Sequence, residues 1–161
     1  MVVTARGIAG ALFAVLVGLT LVTFDYAEGT SYLSTDPEVC GNCHIMWPQL
    51  DSWQKSSHHT SAVCVDCHLP NKGVAKYLSK LENGYYHSKA FTLQNFPEPI
   101  AITPKNARIL HANCLRCHGD LVHAAGGAWS EEAPRCVRCH ATVGHGDPLG
   151  LGGPKDPVEH P

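Results

Sequence analysis

Charge and aromatic side chains are both scarce in this chain of 161 residues, a length close to that of one domain. Only 16% of residues are charged, and the formal net charge is −2. No basic surface is available to bind nucleic acid, so none is expected as a partner. Aromatic residues make up 7%, against 15 Gly and 11 Pro. A chain so loop-rich and so thin in large side chains needs covalent or metal staples to hold a fold. Its 8 cysteines and 11 histidines could supply them.

Disulfides, zinc and haem are the three chemistries open to these cysteines. Disulfides suit a small secreted scaffold but give no reason for a histidine after every CxxC pair. Zinc is also held by CxxC pairs, two of which can close one tetrahedral site. Haem accounts for all three residues of each motif, since two thiols add to the two vinyl groups and the adjacent histidine reaches the iron. The motifs are Cys40-Gly41-Asn42-Cys43-His44, Cys64-Val65-Asp66-Cys67-His68, Cys114-Leu115-Arg116-Cys117-His118 and Cys136-Val137-Arg138-Cys139-His140. No cysteine is left over. Four pairs that all end in His point to four covalent c-type haems, with a non-haem zinc protein as the rival.

Ile8 to Phe24 is an uninterrupted run of apolar, Gly and Thr residues. As a helix it rises about 25 Å, close to the thinner end of a bilayer core. A cleaved signal peptide is the competing reading. The run is long for one, and the exit Phe24-Asp25-Tyr26-Ala27-Glu28 offers no small-x-small cleavage site. A retained single-pass anchor is therefore expected. Arg6 precedes the span, whereas Asp25, Glu28, Asp36 and Glu38 follow it, and no Lys or Arg occurs again until Lys55. The positive-inside rule then puts the N-terminus in the cytoplasm and the cysteines on the periplasmic side of the inner membrane. Covalent haem attachment belongs on that same side.

The first cysteines of successive motifs are 24, 50 and 22 residues apart. Two short spacings around a long one suggest a duplicated two-haem unit. The expected fold is mainly α and loop-rich, with one transmembrane helix and a haem-packed domain of two related dihaem units. The expected divisions are an anchor at 1–27, a tetrahaem domain at 28–146 and a Gly/Pro-rich tail at 147–161. Between the second and third motifs, Val74 to Phe91 reads as a helix, followed by a stretch that Pro97, Pro99 and Pro104 keep extended or turning. Along the helix Tyr77, Lys80, Gly84, His87 and Phe91 share one face. Gly84 between Lys80 and His87 would let a flat ring approach closely. The plainer reading is a solvated Lys and a His with no role.

His44, His68, His118 and His140 are the proximal ligand candidates. A low-spin electron-transfer haem needs a second strong ligand, usually His or Met. His145 follows the fourth motif closely and could serve that haem or a neighbour. One of His58 and His59, just before the second motif, reads as a ligand and the other as surface. Spacing does not decide for His111 and His123, and His160 at the end is given no role. Met46 stands two residues after His44 and could displace it at the iron or pack on the haem edge.

The residues Cys40–Pro48, Ser56–Pro70, Lys76–Leu93, Asn113–His118 and Cys136–His145 carry a resemblance to the NapC/NirT family of membrane-anchored tetrahaem quinol dehydrogenases. Within it, the pattern is most similar to small subunits of cytochrome c nitrite reductase. The resemblance implies Met46 as a ligand of the first haem, in competition with His44. It places His87 at the open side of that haem, where some members carry Asp, and Lys80 beside the quinol. His87 would either bind the iron or accept a proton from quinol, which its near-neutral pKa suits. The resemblance also implies His58, with His59 as rival, on the fourth haem and His145 on the second. The third haem would take a lysine from a partner subunit. Electrons would then run from the first haem through the second and fourth to the third.

The function implied is oxidation of menaquinol or another quinol from the membrane pool, with electrons passed to a large periplasmic multihaem subunit, the ammonia-forming nitrite reductase. The alternative is donation to another periplasmic reductase, for nitrate, trimethylamine oxide or hydroxylamine. A terminal reductase is disfavoured, because the chain has no CxxCK motif.

Overall fold

The structure is a computed structural model that describes residues 4–97, 100–126 and 135–146. The expected tail at 147–161, with His160, and also Pro99 lie outside the described residues. Five α-helices and several short 3-10 turns make up the regular structure, with no strand among the described residues. The chain divides into two compact units, Met1–Ser34 and Thr35–Pro161.

The first unit is helix α1, Ala5–Tyr26, of 22 residues. Thr4 caps its start, with Oγ1 accepting from the Gly7 amide. At 1.5 Å per residue the helix is about 33 Å long. Its mean hydropathy reaches 2.3 and none of that stretch is buried within the protein, so it is long and apolar enough to cross a membrane. Glu28 then adopts a left-handed conformation (φ 53°) and turns the chain into a 3-10 segment, Gly29–Leu33. The Phe24 ring packs over Gly29, so a Cβ there would make the ring move aside.

The second unit holds α2 (Trp47–Gln54), α3 (Cys64–His68), α4 (Gly73–Leu93) and α5 (Pro104–Ala124). The periodicity of α4 is legible in the sequence, and the helix runs slightly beyond Val74–Phe91 at both ends. Gln94, left-handed at φ 53°, stops it, and the Asn95 amide donates to Ala90 O. Helix α5 is not expected from the sequence, because Pro104 reads as a breaker. Pro104 instead occupies the first helical position, where its missing N–H costs nothing, and Thr103 Oγ1 caps the Asn106 amide.

Helices α3 and α5 form the centre of the second unit. Buried Asn113 donates from Nδ2 to Cys67 O (2.9 Å) and Leu69 O (2.8 Å). Arg116 adds a bond to Asp66 O at 3.1 Å. Val65, Leu69 and Ala107 are the buried apolar residues, and no large side chain is fully buried among the described residues. So thin a side-chain core fits a domain whose interior is built around covalently held macrocycles.

Candidate haem-binding site

The four motifs sit in two kinds of local structure. The first and fourth lie in 3-10 turns (Pro37–Asn42 with His44–Met46, and Cys136–Arg138), whereas the second forms α3 and the third lies within α5. None of the eight cysteines is in a disulfide. Among the described residues no group of three or more His, Cys, Asp or Glu side chains is arranged to hold a metal ion. The donors are set out in pairs, which does not suit the tetrahedral zinc clusters of the rival reading.

Sulfurs of successive motifs adjoin one another. The Cys40 and Cys64 side chains hydrogen-bond, bringing the Cys40 thiol down to about 7 and pushing Cys64 up. Burial, then Asp66 and Cys117, push Cys67 up, and burial, then Cys136, take Cys114 up to about 11. Thioethers do not titrate, so in a loaded chain these interactions record closeness only. They link the motifs in the order first, second, third, fourth.

Two histidine pairs face each other across gaps that suit one metal. Rings of His68 and His145 have centroids 5.9 Å apart, and those of His58 and His118 are 6.0 Å apart. Two imidazoles on opposite sides of one metal, each bound at about 2.0 Å, have ring centres roughly 6 Å apart. The outer histidine of each pair is held by the backbone. His145 Nδ1 lies 3.1 Å from Gln49 O and 3.2 Å from Ser52 Oγ, which itself donates to Gln49 O. His58 Nδ1 donates to Val143 O at 2.9 Å. A carbonyl can only accept, so Nδ1 carries the proton and Nε2 keeps its lone pair for a metal. Burial, then the charge of His145, lowers the pKa of His68, favouring the neutral ring that binding requires.

The resemblance implied His58 on the fourth haem. His58 faces His118 of the third motif, because its bond to Val143 draws the segment before α3 across to the end of the fourth-motif loop. His59 points elsewhere, with its ring edge-on to Trp53 at 4.8 Å, and Trp53 is fixed by a bond to Ala62 O. Residues flanking the second and fourth motifs thus close sites across the molecule, and the two expected halves interleave.

Around the first motif, His44 packs edge-on against Trp47 at 4.4 Å, and Trp47 is anchored by donation to Gly41 O. Met46 is half-buried at the end of the same 3-10 turn. Lys80 is close enough to Cys40 for their charges to interact; burial, then Lys76, lowers its pKa. His87 is exposed two turns further along α4. His140 is exposed after the fourth motif, and His123 near the end of α5. His111, which spacing left undecided, approaches Cys136 Sγ to 3.6 Å. Gln49, Ser52 and Val143 leave no trace in the sequence, since they act through backbone carbonyl or hydroxyl contacts that follow no pattern.

Paired imidazoles beside linked CxxCH motifs define a multihaem c-type cytochrome. The chain belongs to the NapC/NirT cytochrome c family, whose N-terminal region matches residues 3–99. It is 38% identical over 146 residues to the cytochrome c-type protein NrfH of Wolinella succinogenes, covering 84% of this chain and 82% of that one. With the cytochrome c nitrite reductase subunit NrfH of Nitratidesulfovibrio vulgaris it shares 31% identity over 130 residues, 81% of this chain and 77% of the relative. The fold is similar to a chain in the crystal structure of the cytochrome c nitrite reductase NrfHA complex bound to the HQNO inhibitor. That match has a TM-score of 0.60 and 27% identity, and covers 86% of this chain and 90% of the other.

Proposed function

We propose that this chain is a membrane-anchored quinol dehydrogenase that supplies electrons to a periplasmic multihaem nitrite reductase. The partner half of this reading is supported by the relatives, whose names place them as subunits of that reductase. The quinol half is carried by one observation: Lys80, on α4, lies within charge reach of Cys40 of the first motif. The charge asymmetry around α1, with Arg6 before it and Asp25 and Glu28 after it, supports a periplasmic haem domain.

The residues divide the work as follows. Lys80 donates a hydrogen bond to one quinol oxygen and orients the ring. His87 takes a proton from the quinol hydroxyl and, being exposed, returns it to solvent. Haems held by the four motifs would supply one-electron redox chemistry; oxidation of one quinol takes two such transfers with loss of two protons, which His87 takes one at a time and releases to solvent between them. His68 with His145, and His58 with His118, would hold the second and third irons. His44 or Met46 would serve the first. His140 would serve the fourth, and the partner's lysine belongs there rather than at the third, which His58 closes from within.

The test is extraction of the intact complex in mild detergent, identification of the co-purified subunit, and assay of menaquinol-driven nitrite reduction. Co-purification of a large multihaem subunit and formation of ammonium are expected. A different reductase in the complex would overturn the assigned partner.

A further inference from the structure

We infer that Ser52 and Ser57 are positioning residues that set the ligand strength of His145 and His58, and through them the potentials of two haems. The same three-part clasp is built twice. On α2, Ser52 Oγ donates to Gln49 O at 3.1 Å, and His145 Nδ1 lies 3.2 Å from that Oγ and 3.1 Å from the carbonyl. Beyond the helix, Ser57 Oγ donates to Val143 O at 3.4 Å, and His58 Nδ1 lies 3.4 Å from that Oγ and 2.9 Å from the carbonyl. In each clasp a hydroxyl and a carbonyl face one imidazole N–H, and the hydroxyl has given its own proton to the carbonyl. The two arise from different chain paths: Ser52 meets a histidine 93 residues away, whereas Ser57 adjoins its own.

The carbonyl alone fixes the tautomer, and the hydroxyl adds two things. A hydroxyl that donates its proton becomes a stronger acceptor, so Nδ1–H is shared between two acceptors instead of one. That pushes electron density into the ring, makes it a more basic ligand and favours ferric over ferrous iron. Two acceptors also stop the ring from turning about its bond to a metal, a motion that one acceptor permits. The clasps are unequal. Ser52 is half-buried with contacts of 3.1 and 3.2 Å, whereas Ser57 is exposed with contacts of 3.4 Å, at the weak end of hydrogen bonding. The clasp therefore lowers the potential of the second haem more than that of the third. In the proposed direction of flow, this adds a downhill increment to the step between them. The inference rests on His145 and His58 as iron ligands, but not on quinol as the electron source.

The experiment is electron paramagnetic resonance with potentiometry on the full-length holoprotein. His145→Ala identifies the low-spin signal of the second haem as the one it removes. In Ser52→Ala that signal should stay low-spin but move in its g values. Its haem should favour the reduced state about threefold more, or about 30 mV for one electron. Ser52→Thr keeps the hydroxyl and should behave as wild type, whereas Ser52→Val, of the same shape, should behave as Ser52→Ala. Ser57→Ala should shift the signal that His58→Ala removes, in the same direction and by less. If the Ser52 variants fail to take up haem, Ser57→Ala decides, since its side chain is exposed. A second haem unmoved in Ser52→Ala, or equal values in the Thr and Val variants, would overturn the clasp and leave the ligands in place. A His145→Ala protein that keeps every low-spin signal would overturn the ligand reading, and the clasp with it.

Discussion

Single histidines decide which irons this chain can close by itself. His58 and His145 are each fixed by a backbone carbonyl on Nδ1, so each presents a preset Nε2 to a facing ring. His58→Ala and His145→Ala should each turn one of the four haems from low to high spin, read by electron paramagnetic resonance. His59→Ala should leave the spectrum unchanged, because that ring packs on Trp53. A high-spin signal in the His59 variant and none in the His58 variant would reverse the assignment. The attachment residues are legible in the sequence because CxxCH is local. The facing rings are not: His58 meets a carbonyl 85 residues away and His145 one 96 residues away. No short pattern encodes contacts at that range.

Among the elements, α3 and α5 hold the second and third motifs together through Asn113 and Arg116. Asn113→Ala leaves two carbonyls without their buried donor and should cost about 1–3 kcal/mol, seen as a lower denaturant midpoint by circular dichroism. An unchanged midpoint would mean the clasp adds nothing. Gly146 is a second critical point, since its amide donates to Ser52 O at 2.8 Å and a Cβ would meet Lys55 O at 3.1 Å and Ser52 O at 3.2 Å. Gly146→Val should push the loop off α2 and loosen His145, giving the same spectral change as His145→Ala in a fraction of molecules. Helix α4 can be read from its period of three and four. Helix α5 cannot, since a proline that opens a helix and one that ends a helix look alike until the Thr103 cap is seen.

Across the molecule, the motifs adjoin in chain order and the ligand-bearing segments cross between the two halves. The proposed function then has electrons leave at the fourth motif, whose His140 is exposed. The isolated chain should show one haem whose sixth position changes on binding the catalytic subunit, and His58→Ala should add a second haem without a sixth ligand, with or without that subunit. An unchanged spectrum in His58→Ala would leave His58 without an iron. At the other end of the haem chain the proposed function places Lys80 and His87 of α4 beside the quinol, His87 to take its protons while the electrons pass to the first haem, and it stands or falls with them. The decisive measurement is stopped-flow absorbance of the full-length holoprotein mixed with a menaquinol analogue. Haem reduction by quinol should slow by about 100-fold in His87→Ala and fall similarly in Lys80→Ala, with reduction by dithionite unchanged in both. Quinol-driven reduction at the wild-type rate in both variants would contradict it.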